Sequence, residues 1–319
     1  MIVGRLAPSP TGAQHVGNAR TYLLAWLSAR SRGGQLRLRL EDIDSPRVKP
    51  GAAQQALEDL RWLGLDWDGP VVVQSRDLRP YEAALAQLRS TNRVYACTCT
   101  RGDIERAASA PHAEHEGPIY PGTCAHRHAG EVPDRPHCWR YRLPAQTPQF
   151  TDRFQGPVAL DLHELGGDFV VWKAARPPHE AASPAYQLAV VVDDAAMGIT
   201  EVVRGDDLIP STPRQLLLYE ALGWSTPMFV HVPLVVGPDG RRLAKRHGDT
   251  RLAALREAGV EPEALVGLLA KSCGLGDGRP ISPRELLPSF TWDRLPRGAF
   301  VLSQEHLARI GYRQRQDNA

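Results

Sequence analysis

With 319 residues, 42% of them hydrophobic and 23% charged, the chain has material for one large or two ordinary domains around a substantial core. Its longest apolar runs fall far short of a bilayer span and no apolar signal-like region follows Met1, so no membrane-spanning helix is expected and a cytoplasmic protein is the natural reading. The formal net charge is only +2, so any RNA-binding surface must be a local basic patch, for which the Arg-rich segments 30–39 and 241–245 are candidates.

Ile2 to Leu6 reads as a short strand ended by Pro8, Pro10 and Gly12, and a helical stretch, Asn18 to Ser31, follows. Leu36, Leu38 and Leu40 alternate with Arg37 and Arg39, the pattern of a strand with one buried face. Ala52 to Leu63 is helical, with Leu57, Leu60 and Leu63 on one side; Val71 to Gln74 is a second strand and Tyr81 to Leu88 another helix. Strands alternating with helices predict a parallel α/β sheet. That rhythm breaks near Cys97. From there to about Pro184 the chain is rich in Pro and His, with short β-like runs at Trp139 to Leu143 and Phe169 to Trp172, as expected of an insertion. The α/β pattern then resumes. Ala185 to Asp194 is apolar, Ile199 to Val203 is a strand, and Ser211 to Leu222 is a helix with Ser211 as its N-cap. Val230 to Val236 is a strand closed by the turn Gly237-Pro238-Asp239-Gly240, and from about Arg251 amphipathic stretches with Pro and Gly breaks suit a small helical appendage. The expected division is therefore 1–96 and 185–250 for two halves of a catalytic core, 97–184 for the insertion and 251–319 for the appendage.

Two segments carry the chemistry. In the first, Arg5 to Arg20, a strand runs into a Pro/Gly turn that feeds a helix start. Unpaired backbone N–H groups and the positive end of the helix dipole suit a phosphate there, His15 can donate to a phosphate oxygen, and Gly17 permits close approach. In the second, Gly237 to Gly248, a basic loop follows a strand and turn, and Lys245 offers a compact, mobile charge for a departing pyrophosphate.

Five cysteines are too few and too unevenly placed for a disulfide framework, but Cys97, Cys99 and Cys124 lie close enough in sequence to suggest a metal site. Thiolate-rich tetrahedral sites select zinc, and chemistry alone offers His126, His128, His137 or Cys138 as the fourth ligand. Cys273, alone in an apolar helical pattern, reads as a buried small hydrophobe.

Taken together the two segments resemble the paired signature motifs of class I aminoacyl-tRNA synthetases. Pro8-Ser9-Pro10-Thr11-Gly12 ahead of His15-Val16-Gly17-Asn18-Ala19-Arg20, then Leu40-Glu41-Asp42-Ile43-Asp44, Arg204-Gly205-Asp206-Asp207-Leu208, Ser211-Thr212-Pro213-Arg214-Gln215 and Leu243-Ala244-Lys245-Arg246-His247-Gly248, are similar to the glutamyl branch, in its order. Asn18 departs from the last histidine of the first motif; in the second, Arg242 stands for the first lysine and Ala244 for the serine, while Lys245 keeps the key cation.

The resemblance implies a Rossmann-like doubly wound parallel sheet with the nucleotide site at the carboxyl ends of its strands. It implies a glutamate site of Arg5, Ser9, Glu41, Tyr186 and Arg204. It further implies an ATP site of Pro8, Gly12, His15, Gly17, Asn18 and Lys245, with His15 and Lys245 stabilising the phosphates and Mg²⁺ accompanying ATP. Physical chemistry agrees, since two arginines suit the carboxylates of a dianionic amino acid and Glu41 suits its ammonium. About 70 residues follow the second motif, too few for an anticodon-binding domain. The chain thus resembles the truncated glutamyl-queuosine tRNA(Asp) synthetases, in which Cys-x-Cys followed by Tyr-x-x-x-Cys holds zinc. Here those positions are Cys97, Cys99, Tyr120 and Cys124. The partners implied are ATP, L-glutamate and queuosine-containing tRNA(Asp), for an enzyme expected to be monomeric. Its rivals are a compact enzyme charging tRNA(Glu) at the 3′ end, a non-catalytic RNA-binding relative and a zinc-ribbon binder.

Overall fold

The computed structural model describes residues 1–43, 48–107, 119–175, 181–243 and 249–312. Among these no helix is long and apolar enough to cross a membrane. The first elements are β1 (Val3–Leu6), α1 (Val16–Arg30), β2 (Gln35–Leu40), α2 (Ala52–Trp62), β3 (Val72–Val73) and α3 (Arg79–Ser90). β1, β2 and β3 pair in parallel in that order, as the alternation of elements predicts. Helix α1 is apolar on nearly every side, with Leu23, Leu24, Trp26 and Leu27 all buried, and so it sits inside the molecule rather than on it. Burying such side chains contributes about 1.5–3 kcal/mol each. Its one buried cation, Arg20, donates to the Pro233 carbonyl (2.6 Å) and to Ser272 Oγ (2.9 Å), which ties the helix to distant parts of the chain.

An antiparallel sheet follows. It is built from β4 (Val94–Cys97), then, after α4 (Arg101–Ala107), from β5 (Cys138–Tyr141), and, after the hairpin β6 (Phe150–Asp152) and β7 (Gly156–Val158), from β8 (Phe169–Lys173) and β9 (Ser183–Pro184). The β6–β7 hairpin stands apart from it.

The chain then returns through α5 (Tyr186–Ala196), β10 (Glu201–Gly205), α6 (Ser211–Leu222), β11 (Met228–Val232) and β12 (Val235–Val236). β10 pairs in parallel with β11. It also lies beside β1, where the Val3 N–H donates to Thr200 Oγ1 and the Thr200 N–H to the Val3 carbonyl, both at 2.9 Å. The single strand expected over Val230 to Val236 is two, because Pro233 has no N–H for a ladder. Ser211 is not the N-cap of α6: Pro210 occupies that position in helical geometry, and the Ser211 hydroxyl instead accepts from Gln187 Nε2 at 3.0 Å.

The last elements are α7 (Leu252–Glu257), α8 (Pro262–Ser272), β13 (Phe300–Val301) and α9 (Gln304–Arg309). They share one apolar core with α1 and β2: Leu252, Leu265, Leu269, buried Cys273 and Leu307 join the cluster that holds Leu23, Leu24 and Leu36. β13 also pairs in parallel with β12, so this segment is stitched into the core by a strand as well as by helices.

Candidate functional site

A cavity of about 430 Å³ opens at the carboxyl ends of β1, β2 and β10, lined by Arg5, Ser9, Glu41, Tyr186 and Arg204. These are the five residues expected around glutamate, contributed by four separate parts of the chain. Beneath them lies a layer of buried ions. Arg39, fully buried, donates to Glu41 Oε1 (2.9 Å) and to Asp194 Oδ1 (2.8 Å), and lies 3.4 Å from Asp193 Oδ2. Burial opposes its charge, yet Asp194, Glu41 and Asp193 hold its pKa well above the ordinary arginine value. Asp193 also accepts from Gln74 and Tyr81. The alternation in β2 therefore misleads: Arg39 faces this charged layer and not solvent, since its partners lie on α5 and at the end of its own strand.

Arg5 donates to the Val203 carbonyl (2.9 Å) and stands 3.7 Å from Asp194. Arg204 donates to Thr212 Oγ1 (2.8 Å) and to His231 Nε2 (3.0 Å), beside the Tyr186 phenol. Burial, with Arg5 nearby, pulls the Arg204 pKa below the usual arginine value. Arg204 Nη1 and Arg5 Nε are buried without a hydrogen-bond partner among the described residues. A buried guanidinium N–H left unpaired is costly; Arg5 Nε has the Asp194 carboxylate 3.7 Å away, while an anion in the cavity would relieve the cost at Arg204 Nη1.

A larger cavity, about 710 Å³, lies on the other side of the β1–α1 turn and is lined by Gly12, Ala13, His15, Lys49 and Leu243. His15 is the N-cap of α1. Its Nδ1 accepts from the Gly17 N–H (3.1 Å), and its backbone N–H donates to Asn18 Oδ1 (3.0 Å). The Val16 N–H is taken by the Thr250 carbonyl (3.0 Å). The expectation of free backbone donors at this helix start is corrected here, since capping consumes them. What remains is the His15 Nε2–H. Burial, and then Arg242, lower the His15 pKa, which favours the neutral ring that this capping bond needs. Gly17 is required for a related reason: a Cβ there would sit 2.9 Å from His15 Cε1. Arg242 pairs with Asp207. Lys245, with Asp44 and residues 244–248, lies outside the described residues.

A sequence profile of the family described as tRNA synthetases class I (E and Q), catalytic domain, matches residues 1–302. A protein of Rhodopirellula baltica named Glutamyl-Q tRNA(Asp) synthetase is 53% identical, over 94% of this chain and 96% of its own. A protein of Symbiobacterium thermophilum with the same name is 49% identical, over 97% and 98%. The chain belongs to the class I tRNA synthetases of the E and Q group, within the glutamyl-Q tRNA(Asp) synthetase family. It is thus a ligase. The crystal structure of a glutamate tRNA ligase from Elizabethkingia meningosepticum, in complex with its amino acid, superposes with a TM-score of 0.79 at 27% identity, covering 97% of this synthetase and 68% of that chain.

The synthetase also carries a cluster of thiols. Cys97 closes β4, Cys99 follows it, and Cys124 arrives from a turn; their sulfur atoms all lie within 4.8 Å of one another. Cys99 Sγ and Cys124 Sγ are 3.7 Å apart. Two thiolates on a tetrahedral zinc at about 2.3 Å would be about 3.8 Å apart, so the cluster can hold such an ion. The Tyr120 oxygen is 3.3 Å from Cys97 Sγ and accepts the Cys124 N–H at 2.9 Å. His137 Nδ1 is instead paired with the Arg135 carbonyl, and no histidine joins the cluster among the described residues. Cys138 stands opposite Cys97 in the ladder, and its thiol, against burial, holds the Cys97 thiol well below its ordinary value.

Arg39, Asp193, Asp194, Asp152 and His231 went unforeseen in the sequence. A pair of aspartates inside the apolar run Val190 to Ala196, and a histidine inside the apolar strand β11, were the signals available.

Proposed function

We propose that this ligase activates L-glutamate with ATP and transfers the glutamyl group to the queuosine base in the anticodon loop of tRNA(Asp). The observation that carries the reading is the 430 Å³ cavity lined by two buried arginines and Glu41, in which Arg204 Nη1 has no hydrogen-bond partner among the described residues. Arg5 and Arg204 take the carboxylates of the amino acid, Glu41 its ammonium, and Ser9 and Tyr186 complete the wall. ATP, with Mg²⁺, occupies the 710 Å³ cavity, its phosphates against Gly12 and the His15 Nε2–H, while Pro8, Gly17 and Asn18 shape the turn between the two cavities. The resemblance of the second motif assigns Lys245 to the same phosphates. The glutamate α-carboxylate attacks the α-phosphorus, pyrophosphate leaves, and a nucleophile of the modified base then takes the acyl group as AMP departs. The protein supplies positioning and charge stabilisation rather than a covalent intermediate.

The catalytic core is read as a doubly wound sheet, 1–96 and 185–250, interrupted by the 97–184 insertion and followed by 251–319. Parallel pairing of β1 with β2 and of β10 with β11 supports this. Zinc on Cys97, Cys99, Cys124 and Tyr120 holds the insertion together. The enzyme is read as a monomer, and its tRNA substrate suits the cytoplasm.

The test is transfer of labelled glutamate, with ATP and Mg²⁺, to tRNA(Asp) with and without queuosine, beside tRNA(Glu). Label confined to queuosine-containing tRNA(Asp) is the expected result. A second reading, charging of tRNA(Glu), has the support of a Geotalea uraniireducens protein named Glutamate--tRNA ligase, 40% identical over 95% of this chain but only 64% of its own. Label on tRNA(Glu) alone would overturn the first reading in its favour.

A further inference from the structure

We infer that Asp152 and His231 are a positioning pair that presents Arg204 to a carboxylate of the bound amino acid. This rests on the glutamate reading above and assigns a role to two residues that line neither cavity.

The three side chains come from different places. Asp152 ends β6 of the hairpin, His231 lies in β11 and Arg204 in β10. Asp152 and His231 have no exposed side-chain surface. Asp152 Oδ1 accepts the backbone N–H groups of Phe154 (2.9 Å) and Gln155 (2.8 Å), and both oxygens accept the His231 N–H (3.2 and 3.1 Å). Oδ2 lies 2.7 Å from His231 Nδ1. A carboxylate can only accept, so Nδ1 carries the proton. The neutral ring then turns a lone pair at Nε2 toward Arg204.

That lone pair is taken by Arg204. Its Nε–H donates to Nε2 at 3.0 Å, while Thr212 Oγ1, which accepts from Arg204 Nη2 at 2.8 Å, lies 3.2 Å from Nε2. Arg204 Nη2 also reaches the Leu208 carbonyl at 3.4 Å, and the guanidinium stands over the Phe229 ring, 5.1 Å from its centroid. Nε and Nη2 are thus engaged with the protein, while Nη1 is buried without a partner. The guanidinium is held in one plane with one edge left over, at the wall of the cavity. A ring in the other tautomer would aim Nε2–H at Nε–H and push that edge out of place. Burial, chiefly, lowers the His231 pKa and keeps the ring neutral.

Asp152→Asn tests the pair. The amide oxygen can keep the Phe154 and Gln155 N–H groups while its NH₂ faces Nδ1, which forces the opposite tautomer. Glutamate-dependent ATP–pyrophosphate exchange should show KM for glutamate rising at least about tenfold with KM for ATP unchanged. Asp152→Asn combined with His231→Gln, whose side-chain carbonyl accepts from Arg204 in either case, should recover most of that loss. A merely structural role predicts that the second substitution makes matters worse. Independently of any variant, ¹⁵N NMR of the wild-type protein should find His231 Nε2 unprotonated at neutral pH. An unchanged glutamate KM, no recovery in the double variant, or a protonated Nε2 would each overturn the inference while leaving the glutamate reading intact. Absence of glutamate-dependent exchange in the wild type would overturn both.

Discussion

The charged layer under the smaller cavity and the thiol cluster of the insertion solve the same problem in opposite ways. Each gathers ionisable groups from separate segments into a buried place. In the charged layer Arg5 and Arg39 face Glu41, Asp193 and Asp194, so these desolvated charges have partners within the protein. The thiol cluster is less evenly matched. Its three sulfurs crowd together beside one cation, Arg140; Cys97 is held low by Cys138 and Cys99 is pushed up to about 11 by burial and the neighbouring thiolate. Three like charges so close could not all ionise without an added cation. One site is largely matched by its own residues; the other could take up a metal ion.

The comparison breaks most severely if the charged layer is not self-balanced. Arg39→Met should leave Glu41, Asp193 and Asp194 as uncompensated buried carboxylates and cost about 3–5 kcal/mol, read as a lower urea midpoint. A midpoint unchanged from wild type would show that these carboxylates do not depend on Arg39. Next in size, Arg204→Ala should raise the glutamate KM about 100- to 1000-fold, roughly 3–4 kcal/mol, with KM for ATP little altered. Equal losses for both substrates would mean that Arg204 supports the whole site rather than the amino acid.

The difference between the two regions also sets what could be read in advance. The thiols and Tyr120 lie within one stretch of chain, and their spacing carries the site. The β1–α1 turn is local in the same sense, and His15 and Gly17 were legible there, although their intimate contact was not: a histidine that caps its own helix leaves a different donor for phosphate than a bare helix end does. The charged layer is nonlocal. Arg39 reads as the polar face of β2 because alternation says nothing about what packs on that face, and its partners Asp193 and Asp194 lie more than a hundred residues on. The Asp152–His231 pair likewise exists only once the β6–β7 hairpin is laid against β11, through the Arg153 N–H and the Phe229 carbonyl at 2.9 Å. The motifs marked residues that line the two cavities; what holds Arg39 and Arg204 in place was hidden in tertiary contacts.

A smaller effect sharpens the metal side. Zinc competition with a chromophoric chelator should find Tyr120→Phe at least about tenfold weaker and Cys138→Ser within about twofold of wild type. The reverse order would make Cys138 the fourth ligand and leave Tyr120 as the hydrogen-bonded neighbour of Cys97.

The smallest expected change in stability comes at His15, where capping and the proposed phosphate contact share one ring. Asparagine is a preferred N-cap, so His15→Asn should alter stability at pH 8 by less than about 0.5 kcal/mol while removing the Nε2–H proposed to meet ATP. The pH dependence has a definite sign. The folded-state pKa of His15 lies below its ordinary 6.5, so as pH falls through 6.5 the unfolded chain binds a proton that the folded chain refuses, and stability drops. His231 and His306, also lowered by burial, contribute in the same direction. His15→Asn should therefore lose its share of the decline between pH 7 and 5.5 and keep the rest, while adenylate formation falls at every pH. If stability and activation instead fell together at pH 8, the ring would be acting on the helix alone, and the donor facing the larger cavity would have to be sought elsewhere.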